Sequence, residues 1–420
     1  MSDGTKAPGA RPDGPLKGLR VIDAAVLFAG PVIGTLLADF GADVIKVEHP
    51  RGDALRTLGW HKDGVSLWWA FANRNKRFVS IDFGEPEGAA LLRELVKDAD
   101  VLIESFRPGT FERWGLGPDV LHAINPRLVM VRASGYGQTG PYAPRPGFGT
   151  VAESISGFAH INGHPDGPPT LPPFALGDGV ASLFGTFGTM FALWHRDVHG
   201  APGQVIDLAI YEPLFWLLGP QSLVYDQTGR IQGRTGSSTD WTAPRNAYMT
   251  RDGRWLGLSA SSQSIAERVM RLVGHPEVID EPWFADHVGR VENQHILDRY
   301  IGGWIAEHDY AEVLEGFEKA QAVIGPIYSI ADIFQDPQYI ARETIVTVDD
   351  PRLGKARTQN AVPRLVDTPG SVRHLGGDLG QDNRAVLCDE LGHSPEEIER
   401  LRKAGIVGGQ PLLPEADPGV

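Results

Sequence analysis

The chain has 420 residues, 42% of them hydrophobic and 22% charged, with a formal net charge of −14. That length exceeds one ordinary core and predicts two domains or one elaborated α/β domain, while the acidic balance argues against a nucleic-acid partner, which would favour a basic face. The single cysteine, Cys388, excludes a disulfide framework and a paired-cysteine zinc site, and it fits the reducing cytoplasm, where we expect the protein.

Residues 1–15 are polar and rich in Gly and Pro, and read as a disordered tail without a secretory signal. A strand is expected over 19–23, a helix over 30–40, and a second strand ending at Glu48. Further strands are expected over 77–82, 101–104, 128–132 and 204–210, with a helix over 86–98. Strands alternating with helices predict βαβ units and a mostly parallel sheet. Residues 133–176 are rich in Gly and Pro and read as long loops at the strand ends, where function concentrates. The uncharged run 180–194 has helical length, and Phe184, Phe187, Phe191 and Trp194 recur at the spacing of one face, so it reads as a buried helix. This run and 24–38 are both shorter than the ~20 residues of a membrane span, so no membrane association is expected.

The texture changes after Leu218. Residues 219–245 resemble a linker, and 246–259 read as a hairpin turning at Asp252-Gly253. Helical segments over 265–273 and 293–317 complete a second, smaller domain over 246–330. A final helix over 394–404 starts with the capping signal Ser394-Pro-Glu-Glu, and 408–420 is again tail-like.

Asp178 is the most informative residue, a lone carboxylate between Gly177 and Gly179 at the mouth of the apolar helix. From the residues alone an N-cap is the commoner reading. The sharper one is a nucleophile that the helix start holds ionised. Residues 21–48 imitate a dinucleotide-binding unit, but Gly30-Pro-Val-Ile-Gly34 lacks the G-x-G-x-x-G spacing. No H-E-x-x-H motif and no phosphate loop is present, and no metal site is expected. Arg51, Arg74, Lys76, Arg77, Arg107, Arg113 and Arg145 lie near strand ends, and as a set they could hold a phosphorylated ligand.

Several ordered motifs together carry a family resemblance: Leu16-Lys-Gly-Leu-Arg-Val-Ile-Asp23, Ala29-Gly-Pro31, Phe40-Gly-Ala-Asp-Val-Ile-Lys-Val-Glu48, Asn73-Arg-Asn-Lys-Arg77, Ile103-Glu-Ser-Phe-Arg-Pro-Gly109, Ala175-Leu-Gly-Asp178 and Gly325-Pro326. From Leu16 to about Ile406 the chain resembles the family III CoA-transferases, typified by formyl-CoA transferase and carnitine CoA-transferase. The resemblance implies an α/β fold. A Rossmann-like large domain is built from both chain ends, 16–218 and the return segment 331–407, and a smaller α+β domain is inserted between them. It also implies a homodimer of interlocked chains. Coenzyme A would be a substrate rather than a permanent cofactor, with acyl-CoA and a carboxylic acid as partners.

Asp178 matches the family's nucleophile. The family's CoA contacts correspond to Phe28 and Ala29 near the thioester, His49 near the phosphates, and Ile81, Asp82, Phe83 and Gly84 by the adenosine. Ser105, Phe106, Arg107 and Arg113 would line the nucleotide cleft, and Arg145 would add a cation. The implied reaction passes CoA between acids through an aspartyl anhydride and an aspartyl-CoA thioester. Phe28 stands where formyl-CoA transferase has glutamine, Gly149 where it has glutamate, and Pro146 where it has a basic residue. These changes predict an acceptor larger and more apolar than formate or oxalate: a branched, aromatic or medium-length acid, or a succinate derivative. A 2-methylacyl-CoA racemase of the same family is the alternative, disfavoured because Phe148-Gly149 replaces that group's His-Asp pair. A CoA-binding protein without turnover is the third reading.

Overall fold

In the computed structural model the described residues run from 13 to 413, so most of both expected tails lies outside them. The chain divides into two compact units. The larger takes the chain up to residue 156, 172–217 and everything from 341, and the smaller takes 157–171 and 218–340.

In the larger unit the elements run β1 Arg20–Asp23, α1 Ala29–Asp39, β2 Asp43–Glu48, β3 Arg77–Ser80, α2 Pro86–Val96, β4 Val101–Glu104, β5 Val129–Ser134, α3 Gly149–Ile155, α4 Leu176–His199 and β6 Val205–Ala209. The six strands form one parallel sheet in the order β3-β2-β1-β4-β5-β6. The chain runs outward from β1 through β2 to β3, then returns to lay β4 on the other side of β1. That reversal opens a crevice beyond the carboxyl ends of β1 and β4, the usual ligand position in such sheets.

Alternate strand residues feed opposite cores. Ile22, Ile45, Leu102 and Met130 pack with Leu91, Leu92 and Leu95 of α2. Val21, Val44, Val101, Val129 and Val131 pack with Ile33 and Leu37 of α1 and Ala181 and Leu193 of α4. Burial on both faces is why consecutive apolar residues, such as Val21-Ile22, Val44-Ile45 and Val101-Leu-Ile103, occur in these strands. The β3 edge is closed by the chain's return: Phe78 N donates to Asp382 Oδ2 (2.7 Å), Ser80 N donates to Asn383 Oδ1 (3.0 Å), and Ile81 bridges Val407. Side chains and backbone of the returning chain thus satisfy amides that would otherwise template aggregation. The last helix, α8 Pro395–Lys403, is capped by Ser394 (α5 to α7 belong to the smaller unit).

Two expectations for this unit need correction. Residues 133–176 are not all loop, since β5 runs to Ser134 and α3 lies within the stretch. Helix α4 does bury one face, but not the aromatic one. Its buried residues include Ala181, Ser182, Gly185, Thr189 and Ala192, while Phe187, Phe191 and Trp194 are 56%, 58% and 65% exposed. The reason is close approach to α1: a Cβ on Gly185 would lie 2.4 Å from Ile33 Cδ1, so only small residues fit there. At 24 residues α4 is long and apolar enough to cross a membrane by those two criteria, yet its small-residue face packs on α1 and β5 as a core helix does.

The smaller unit has a three-stranded antiparallel sheet. It comprises the hairpin β7 Arg245–Met249 and β8 Trp255–Ser259, with β9 Ile324–Pro326 on the other edge of β8. Helices α5 Gln263–Leu272, α6 Gln294–Ala306 and α7 Tyr310–Lys319 cover it. The helix expected over 293–317 breaks after Ala306, because Asp309 and Glu312 form a capping box that starts α7. The expected linker contains a helix, Gln221–Thr228.

Candidate active site

The crevice at the sheet's reversal holds a cavity of about 560 Å³. The loop after β1 (Val26 to Ala29) and the loop after β4 (Ser105 to Pro108) form one wall, and Gly149, Glu153, Phe174 and Asp178 form another.

The first wall is pinned from below. Val26 N donates to Ser105 Oγ (2.9 Å). Leu27 has φ +64°, unusual for a branched residue, and its N–H donates to both Asp53 oxygens (3.2 Å each). Lys46 Nζ donates to Ala25 O and lies 3.6 Å from both Asp23 and Asp53. Lys76 Nζ donates to Asp23 Oδ2 (2.9 Å), Asn73 Oδ1 (2.9 Å) and Pro31 O (2.7 Å). Asp23, Lys46 and Lys76 are all buried. Although burial opposes it, the two lysines hold the Asp23 carboxyl below its ordinary range. Burial pulls Lys76 down to about 8, against the attraction of Asp23.

The second wall carries the nucleophile candidate. Ala175 is the N-cap of α4 and makes no side-chain cap bond, so Asp178 sits inside the first turn and is not the cap. Its carboxylate accepts the Gly149 N–H. A Cβ on Gly149 would fall 2.5 Å from Asp178 Oδ2, so glycine alone leaves room for that contact. Glu153, one turn along α3 from Gly149, is 3% exposed, and its Oε1 accepts the Gly177 N–H (3.0 Å). Burial, then the charge of Glu153, push Asp178 up to about 6, with the Gly149 bond opposing. On sequence grounds the helix start holds this carboxylate ionised; desolvation and Glu153 work against that effect here.

Seven of the sequence candidates line the cavity: Asp178, Phe28, Ala29, Ser105, Phe106, Arg107 and Arg145. His49, Ile81, Asp82, Phe83, Gly84 and Arg113 do not. His49 Nε2 lies 3.1 Å from Asp82 Oδ2, and Gly84 N donates to Asp82 Oδ1 (3.1 Å). The side chains of Ile81 and Phe83 are core, so their expected nucleotide contacts could come only from backbone. Phe83 meets Phe106 edge-on at 5.7 Å, which joins this cluster to the cavity wall. Arg113 donates to Thr110 Oγ1 (2.9 Å).

Of the cation set, Arg74 pairs with Asp39, Lys76 with Asp23, and Arg77 with Asp43 and Glu390, so those three are structural. Among the described residues Arg107 and Arg145 have no ion-pair partner; Arg145 lies over the Tyr142 ring at 3.9 Å. Glu48, where a dinucleotide fold would place its ribose carboxylate, is instead held by Arg56 at 2.7 and 2.8 Å. No His, Cys, Asp and Glu grouping among the described residues could hold a metal ion. Sequence reasoning missed Glu153, Lys46 and Asp53. A glycine and a glutamate four apart share one helix face, and that was the available signal for Glu153.

The family model for CoA-transferase family III matches residues 16–383. The chain is 42% identical to the succinyl-CoA–D-citramalate CoA-transferase of Chloroflexus aurantiacus, across 94% of this chain and 99% of that one. It is 40% identical to the beta subunit of the succinyl-CoA–L-malate CoA-transferase of the same organism, across 94% and 98%. Among solved structures, a CAIB/BAIF family protein from Brucella suis superposes with a TM-score of 0.78 at 31% identity, covering 90% of this chain and 99% of that one. Matches of this extent, on a sheet whose reversal holds the expected carboxylate, make the chain a member of CoA-transferase family III and a CoA-transferase.

Proposed function

We propose that this enzyme moves CoA from succinyl-CoA to a second dicarboxylic acid, with Asp178 as the covalent acceptor. The observation that carries the reading is Asp178 itself, in the first turn of α4, on the cavity wall, seated against Gly149. Arg107 and Arg145 supply unpaired cations for a substrate with a second carboxylate, and the relatives named above act on succinyl-CoA.

In the first step an Asp178 carboxylate oxygen attacks the thioester carbonyl. The C–S bond breaks, leaving an aspartyl-succinyl anhydride and CoA thiolate. The thiolate attacks the aspartyl carbonyl, releases succinate and forms an aspartyl-CoA thioester. The acceptor carboxylate attacks that thioester and expels the thiolate again. The thiolate then attacks the acceptor carbonyl of the new anhydride, giving acyl-CoA product and free Asp178. Each hard step is split into easier ones, and backbone amides of the surrounding loops would steady the oxyanions. Phe28 and Ala29 lie by the thioester in this reading. The cluster of His49, Asp82, Gly84 and Arg113 takes the nucleotide end. Labelled CoA exchange across formate, oxalate, succinate, malate, a branched acid and an aromatic acid tests it. Succinate or malate should lead in kcat/KM; formate, oxalate or an aromatic acid in first place would refute the substrate class.

The exposed ridge of Leu183, Phe187, Phe191 and Trp194, with Trp216 stacked edge-on to Phe184 at 5.4 Å, is apolar surface a soluble chain does not leave bare. We assign its cover to a second copy in the interlocked dimer that the sequence resemblance implies. Light scattering that finds a folded monomer at nanomolar concentration rules this out.

A further inference from the structure

We propose that Glu153 is a positioning residue for the nucleophile: its buried carboxylate fixes the first turn of α4 through the Gly177 amide and sets a second negative charge behind Asp178. The inference rests on Asp178 being the covalent acceptor. Two observations point to it. Glu153 Oε1 takes the free N–H of Gly177, the residue before Asp178, across 24 positions of sequence. A Cβ on Gly177 would lie 2.9 Å from Gly149 O and 3.4 Å from Glu153 Cγ, so α3 and the start of α4 are in direct contact. A capping bond alone needs only a neutral oxygen, since serine and asparagine serve as well. A buried carboxylate here adds charge, and that charge works against ionised Asp178.

The other charged and titratable groups around the pair do not cancel it. Arg107 and Arg145 stand on the cavity loops and are exposed. Asp39 on α1 is tied to Arg74, Arg132 on β5 to Glu104 and Glu112, and Asp207 on β6 to Gln138 N. Tyr211 and Glu212 lie on the helix Tyr211–Leu217, which packs on both α3 and α4. Burial and Glu153 together raise Asp178. A more basic carboxylate is a stronger nucleophile once ionised, at the cost of activity in acid.

The experiment compares the pH dependence of kcat/KM for acyl-CoA in wild type, Glu153→Gln and Glu153→Ala, with thermal melts of all three and Asp178→Ala as control. Gln keeps an oxygen for Gly177 N–H but no charge; Ala removes both. The acid limb of Glu153→Gln should move down by about one pH unit with a near-wild-type melt, and Glu153→Ala should show the same shift with a lower melting temperature. If Glu153→Gln folds and its acid limb superimposes on the wild type, the charge does nothing and the inference falls, while Asp178 stands. Should Glu153→Gln not fold, the limb of Glu153→Ala decides in the same way. If Asp178→Ala retains turnover, the nucleophile assignment itself fails.

Discussion

Two sets of buried ionisable side chains flank one cavity, and they are built on opposite principles. Under the β1 loop, Asp23 and Asp53 sit among Lys46 and Lys76, every charge answered by an opposite one and by backbone carbonyls. Beside α4, two carboxylates, Asp178 and Glu153, share a wall, with backbone amides as their only hydrogen-bonding neighbours among the described residues. The first arrangement lowers the Asp23 carboxyl, and the second raises that of Asp178 to about 6. A balanced set fixes geometry. An unbalanced set stores unfavourable interaction at one group, and reactive groups are found where that happens.

The largest expected effect separates the two sets by activity. Asp178→Ala should cut kcat by about 10⁴-fold or more, as loss of a covalent nucleophile does, without lowering the melting temperature. Removal of a mere cap would cost only ~1 kcal/mol and leave turnover. Steady-state kinetics on a variant with native circular dichroism decides between them.

The balanced set should fail the other way. Lys76→Met leaves Asp23 buried with Lys46 as its remaining cation, and breaking one partner of a buried pair costs about 3–5 kcal/mol. Urea unfolding should show that loss. A variant as stable as wild type would mean the network does not hold the β1 loop.

A pH profile sharpens the contrast further. The Asp178 nucleophile must be ionised, so kcat/KM should drop about tenfold per pH unit below roughly 6, the value burial and Glu153 give it. Stability follows the same group. Its folded pKa lies above its unfolded one, so the folded state binds the proton more tightly, and stability present below about 4 is lost as pH rises through about 6. Asp178→Asn should therefore be more stable than wild type at pH 8, by roughly 1 kcal/mol or more at this partly buried site, and about equal to it at pH 4. Asp23 runs in the opposite sense: its lowered carboxyl contributes stability above the unfolded value that is lost as acid reaches the folded one.

The smallest effect tests the cavity's rim. Arg107→Ala should raise KM for acyl-CoA by about tenfold with kcat nearly unchanged, the signature of uniform binding. A fall in kcat at constant KM would move Arg107 into the chemistry.

Much of the fold was legible because the sheet's chemistry is local. Residues 101–103 and 128–131 are apolar runs, and a strand buried on both faces needs no more. The orientation of α4 was not legible. Aromatic spacing marks a helix face but does not say what covers it, and here close approach at Gly185 gave the interior to small residues. Asp178 stood out through its flanking glycines, although their roles divide: Gly177 allows the contact with α3, while Gly179 has open space. Glu153 could not be paired with Asp178 from sequence, because only the fold brings α3 against the start of α4. His49 and Asp82, assigned by the resemblance to the phosphates and the adenosine respectively, lie against each other and outside the cavity that holds Asp178.

The central claim is that Asp178 becomes covalently acylated. Incubation with succinyl-CoA followed by hydroxylamine, digestion and peptide mass spectrometry tests it directly. A hydroxamate on Asp178, formed only with thioester present and absent from Asp178→Asn, is the predicted result. Full turnover under the same conditions with the Asp178 peptide unmodified, across repeated trapping, would contradict the account and favour direct transfer between bound substrates.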